Sequence, residues 1–133
     1  MAEEGNMQEK VAAFRMLESR LKGLGQQREM LASKIMEIQS TIASVDEVVK
    51  SKGDILFHVG SAAYVHGGVK DGNSIVVEIG ANIALEKGVD EAKATLEARL
   101  KEMEDVFASI QTEISKVSSI MDEIQSNLEA AAA

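Results

Sequence analysis

Residues 60–68 read GSAAYVHGG, a run of glycines and small residues around one tyrosine and one histidine. Glycine at that density is incompatible with a helix, yet long stretches of Leu, Ile, Met, Glu and Lys at helical spacing lie on both sides. Working outward from this run, seven of the ten glycines fall between Gly53 and Gly88, and the apolar period there shortens to two. Ile55, Phe57 and Val59 alternate with Leu56 and His58, and Gly60-Ser61 turns the chain. Ala63, Val65 and Val69 line one face of the return, with Tyr64, His66 and Lys70 on the other. Asp71-Gly72 supplies a further turn of the type that suits hairpins or tight connectors. Ile75, Val77 and Ile79 then alternate with Val76 and Glu78, GAN at 80–82 reverses the chain, and Ile83 and Leu85 alternate with Ala84 and Glu86.

The spacing therefore predicts four short strands in two hairpins. Four strands cannot close a barrel, which takes about eight to fill its interior with side chains. Left alone they expose open edges and an apolar face. Strands from other subunits are expected to complete the sheet, which makes this segment an oligomerisation hub built on Ile55, Phe57, Val59, Tyr64, Val65, Val69, Ile75, Val77, Ile79, Ile83 and Leu85.

The flanks carry heptads. From Met7 the a and d positions are Met7, Lys10, Phe14, Leu17, Leu21, Leu24, Arg28, Leu31, Ile35, Ile38, Ile42, Val45 and Val49. Only Lys10 and Arg28 are polar, and steps of four and three alternate, as in a coiled-coil seam. The run ends at KSKGD, where Lys50 and Lys52 suit a helix C-terminus and Gly53 accepts a left-handed cap. A second seam runs through Leu96, Leu100, Met103, Phe107, Ile110, Ile114, Val117, Met121, Ile124 and Leu128, with Asp90 as its expected N-cap. Two seams of equal length, each about 60 Å at roughly 1.5 Å per residue, most simply fold back as an antiparallel hairpin with both termini together. Arg28 reads as a register-setting residue that snorkels to solvent. Gly23 and Gly25 either soften the first helix or are merely tolerated on its surface.

The expected class is therefore α+β: a long antiparallel two-helix coiled coil with two central β-hairpins that build an intersubunit β-barrel. The segments are 1–52, 53–88 and 89–133, within one domain.

Composition limits the chemistry. There is no proline and no cysteine, and Phe14, Phe57, Tyr64 and Phe107 are the only aromatic residues apart from histidine in 133. Neither a signal peptide nor a membrane span is legible, so a cytoplasmic protein is expected. Of the net charge of −8, most sits in residues 89–133, with four basic and ten acidic groups. No basic face for nucleic acid is visible. GSAAYVHGG lacks the spacing of a phosphate loop and precedes a strand. His58 and His66, which could face each other across a hairpin, lack a third metal ligand. No catalytic set, metal site or cofactor is expected, and an enzyme is not. What is left is surface: Met7, Val11, Phe14, Met16 and Leu17 with Val117, Ile120, Met121, Ile124 and Leu128 share one end. Of these, Val11, Met16 and Ile120 fall off the seam. They form an adaptable apolar surface, or Val11 and Ile120 merely widen the seam.

The run ILFHVGSAAYVHGGVKDGNSIVVEIGANIALEKGVDEA, Ile55–Ala92, resembles that of α-class prefoldin subunits. The resemblance rests on Val59-Gly60-Ser61, Tyr64, Asp71, Val77 to Asn82 and Glu86-Lys87; His58 stands where many relatives have proline, and His66 where a small residue is common. It implies a hexamer of two α-class and four β-class subunits, with a hub of β-barrels and six coiled-coil arms. Such a complex holds unfolded client proteins at the arm tips without ATP and passes them to a group II chaperonin. Hub assembly would fall to the strand residues and client contact to the ten tip residues named above. The short chain looks archaeal. Two other classes remain: a structural scaffold or filament-forming spacer without clients, and, disfavoured by the acidic second helix, an RNA-binding arm.

Overall fold

The computed structural model describes residues 2–132; Met1 and Ala133, the outer limits of the expected helical segments, lie outside the described residues. Helix α1 spans Ala2–Lys50 and helix α2 Val89–Ala132, with strands β1 (Ile55–Gly60), β2 (Ala63–Gly67), β3 (Ser74–Gly80) and β4 (Ile83–Gly88) between them. The α+β class expected from the two apolar periods is the observed one. The chain forms two compact units. The first joins α1 up to Lys34 with α2 from Met103, and the second is Ile35–Glu102.

In the first unit the heptads do what their spacing requires. Leu24, Val117 and Met121 form the buried core, with Phe14, Leu17, Leu21, Ile110 and Ile114 packed against it. Full burial of such side chains is worth about 1.5–3 kcal/mol each, but a two-helix seam leaves most of them half exposed, so stability is spread thinly along the pair. Polar pairs flank the seam and fix its register. Arg28 Nη1 donates to Gln111 Oε1 at 2.7 Å, so the one charge deep in the seam reaches its edge, and Arg20 pairs with Glu113. Helix α1 runs unbroken through Gly23 and Gly25.

In the second unit β1 pairs antiparallel with β2, and β3 with β4, as two separate two-stranded sheets. The register opposes Phe57 to Val65 and His58 to Tyr64, and Val77 to Leu85. Each pair shifts register near its turn, between His58 and Gly60 and between Glu78 and Gly80. Val59 and Ile79 are thus the extra residues that increase local twist. The β3–β4 loop is two residues, Ala81 and Asn82, both with positive φ (49° and 61°), the turn whose twist matches its flanking strands.

Two local expectations are corrected and one alternative is settled. Strand β2 stops at Gly67, so Val69 and Lys70 lie in the connector. The Phe57 ring covers Gly67 so closely that a Cβ there would sit 2.8 Å from it. Of the two uses open to Asp71-Gly72, the structure shows the connector between hairpins: Asn73 N donates to Asp71 Oδ1 at 2.9 Å and the Ser74 hydroxyl to Asp71 Oδ2 at 3.1 Å. Asp90 lies inside the first turn of α2, beside Glu91. It faces the positive helix end without being the cap, because Val89 is already helical and its N–H donates to Asn73 O at 3.2 Å.

In this unit Ala92 is fully buried, and Val77 and Leu96 are buried too. Arg99 Nη2 donates to Glu78 O at 2.6 Å, tying β3 to α2. Lys93 Nζ lies 2.9 Å from Asp46 Oδ1, tying α2 to α1. That hydrogen bond lowers the Asp46 pKa and raises that of Lys93.

Candidate assembly and client-binding surfaces

The strand unit is an unfinished sheet. Each of its four strands has one neighbour, so each presents an unpaired edge of N–H and C=O groups. An isolated two-stranded hairpin is marginal in water. Of the eleven residues assigned to assembly, Val77 is buried at 6% exposure and Ile55, Val69 and Ile75 are half-buried. Phe57, Val59, Tyr64, Val65, Ile79, Ile83 and Leu85 are exposed. Two further exposed residues, Leu56 and Val76, escaped the sequence reading. Their signal was present: ILFHV and SIVVEI are apolar at both alternate positions, as strands covered on two faces are.

An apolar groove of about 450 Å³ adjoins these strands, bounded by Thr41, Val45, Val48 and Val49 of α1 and by Val69 and Ile75. Its walls come from the seam's last turns and from the connector. Nearby, a Cβ on Gly72 would stand 3.2 Å from Val49 O, so any larger residue there would have to push the end of α1 aside slightly.

The histidines are not cross-strand partners. His66 opposes Leu56 and His58 opposes Tyr64, which puts the two imidazoles on one face but offset along the hairpin. His58 and Tyr64 make an edge-on ring contact at 5.2 Å, and His66 Nδ1 lies 2.5 Å from Asp54 Oδ2. Among the described residues no cluster of three or more His, Cys, Asp or Glu could hold a metal ion.

In the helical unit the ten candidate tip residues divide by heptad position. Val117 and Met121 are buried in the core, and Met7, Phe14, Leu17, Ile124 and Leu128 are half-buried along the seam. Val11, Met16 and Ile120 are exposed. Asn6, Met7, Lys10 and Ala131 line one depression, so the two chain ends lie side by side. A second depression, about 280 Å³, is lined by Met7, Gln8, Val11, Ala12 and Arg15. Methionine and aliphatic groups in shallow hollows can contact apolar partners of varied shape. Exposed Met30 was missed because it lies two heptads beyond Met16, outside the end to which the candidates were confined. No described helix is long and apolar enough to cross a membrane.

Open strand edges beside a paired-helix seam define a coiled-coil protein with two β-hairpins, the class of subunit that can complete its sheet with other chains. The family model for prefoldin subunits matches residues 17–133. The prefoldin α subunit of Pyrococcus horikoshii is 26% identical over 128 residues, covering 93% of this chain and 86% of that protein. That of Thermococcus onnurineus is 30% identical over 106 residues, 77% of this chain and 72% of that one. That of Thermofilum pendens is 30% identical over 114 residues, 79% and 88%. Among solved structures, filamentous PFD from Methanocaldococcus jannaschii, determined by cryo-EM, superposes with a TM-score of 0.77 at 21% identity. The match covers 87% of this chain and 98% of that one. The chain belongs to the prefoldin family, as an α-class member of archaeal type. That family is one of chaperone subunits, not of enzymes.

Proposed function

We propose that the chain is the α-class subunit of a cytoplasmic, ATP-independent holdase. In this reading two copies join four β-class subunits through the strand unit, and the assembly has no catalytic step and needs no cofactor. The paired helix ends grip unfolded client proteins, several weak contacts adding by multivalency, and deliver them to a group II chaperonin. One observation carries the reading: a strand unit with four unpaired edges and apolar residues exposed on both faces, in a chain of the prefoldin family. Such edges need subunits of similar build to cover them, which leaves the helix ends for other partners.

The test uses V11S/M16S/I120S in the complex with a β-class partner. Deleting residues 1–16 and 118–133 would also remove Phe14 and Met121 from the packed seam, whereas the triple variant touches only exposed positions. Suppression of client aggregation should fall while the oligomer keeps its mass. Undiminished protection would refute client capture by these side chains.

A second reading, a filament-forming scaffold without clients, draws support from the filamentous state of the Methanocaldococcus jannaschii protein. Electron microscopy of the chain alone would reveal filaments, and a pure scaffold would leave client aggregation unchanged.

A further inference from the structure

Helix α1 carries a second row at heptad spacing, on the face turned away from its partner helix. Its third heptad positions hold Met16, Gly23 and Met30, and its sixth hold Ala12, Ser19, Gln26 and Ser33. Over these 22 residues the row contains no charge, although 27% of the chain is charged. Glu9 and Glu37 stand at the next third positions on either side. All seven positions are exposed except half-buried Gly23, and Met16 and Met30 are 75% and 64% exposed.

The matching row of α2 in the same unit is interrupted by Asp105, Lys116 and Glu123. The contrast extends to net charge. Residues 7–34 carry six basic and three acidic groups, and residues 103–133 carry one basic and six acidic. Arg15 and Lys22 border the neutral row on one side and Lys34 on the other, where Arg20 is already paired with Glu113 of α2, and Glu29 is the only acidic border residue between Arg15 and Lys34. The depression lined by Val11, Ala12 and Arg15 opens onto the start of the row.

An ordinary solvent face on a strongly acidic chain gains solubility from charge; this row forgoes it. Two long, unbranched and exposed methionines, separated by Ser19, Gly23 and Gln26, make an adaptable uncharged track with apolar contacts at both ends. The basic borders favour carboxylates beside whatever lies on it. We propose that the outward face of α1 from Ala12 to Ser33 is a client-binding track, selective for extended non-native segments whose apolar residues are bordered by Asp or Glu. The proposal rests on the holdase reading above and names the substrate class it favours.

The experiment uses the full-length chain in complex with a β-class partner and two unstructured fluorescent peptides. The peptides share one apolar core, flanked by glutamates in one and by lysines in the other. The glutamate peptide should bind the wild-type complex about tenfold more tightly at low salt, and the preference should shrink at high salt, where exposed charges are screened. M16S/M30S should weaken both peptides about tenfold, each exposed methionine contributing part of its burial, and R15E/K22E should reverse the preference. A photo-crosslinker at Gln26 should capture the glutamate peptide, and one at Thr112 on α2 should not. These positions are exposed, so the variants should fold, and unchanged oligomer mass checks that they do.

Peptide binding that survives M16S/M30S but is lost in V11S/I120S would overturn the track while leaving the holdase reading intact. Equal binding of the two peptides, or equal crosslinking from Thr112, would overturn the selectivity claimed here. A wild-type complex that binds neither peptide and protects no client would remove both the holdase reading and the track.

Discussion

Gly23 and Gly25 stand within the one helix where glycine has no visible packing reason to be. They flank Leu24, a member of the buried core, yet a Cβ built on either meets no atom within 4 Å. Alanine therefore fits without displacement. Its advantage over glycine inside a helix is about 0.8–1 kcal/mol per site, so G23A/G25A should stabilise local helix by about 1.6–2 kcal/mol. At 1.4 kcal/mol per decade, that slows opening by about 15–30-fold. Amide hydrogen exchange of the segment Leu21–Arg28 in the full-length chain reads local opening directly, and those amides should exchange more slowly by that factor. Unchanged or faster exchange would refute the reasoning, since it would mean that the space beside the glycines is filled or the helix is not the ground state there. Client protection by the same variant separates the two readings of the pair. It falls if the segment must bend to grip a client, and it holds if glycine is only tolerated.

Two further predictions follow from the packing and from the pair that ties the helices together. Leu24→Ala removes a core side chain and should cost about 2–4 kcal/mol, whereas Met30→Ala on the exposed face should stay within about 0.5 kcal/mol; thermal melts of the two variants compare them. Because Lys93 depresses the Asp46 pKa below its ordinary 3.8, the pair's contribution is present above that value and lost as pH falls through the depressed pKa. Asp46 raises Lys93 above its ordinary 10.5, so the contribution is also lost at high pH, above the raised pKa. Denaturation of D46N should show lower stability than wild type at pH 7, with the gap closing in strong acid.

The change of apolar period at Gly53 and Gly88 made the element order and the seam legible in advance. At the seam every apolar a or d residue is at least half-buried, as the spacing requires. What escaped the sequence depended on contacts beyond the local pattern. Strand β2 ends at Gly67 because its partner β1 begins at Ile55, the residue opposite it, and alternation alone carried the expected strand on to Val69. The histidine pairing turned on cross-strand register, which places Leu56 and Tyr64 opposite them. Leu56 and Val76 were passed over because a one-sided strand was assumed, and both faces are apolar. For the candidate tip, sequence spacing grouped ten residues, but burial divides them: Val117 and Met121 hold the helices together, while Val11, Met16 and Ile120 are free to meet a partner.

Native mass spectrometry of the purified chain, alone and mixed with a β-class prefoldin subunit, is the most direct test of whether the unpaired strands need other subunits. A complex with two copies of this chain and four of its partner is expected, with hydrogen exchange at Ile55–Leu85 slowed on assembly. A stable monomer in both samples, with those strand amides equally protected, would contradict it.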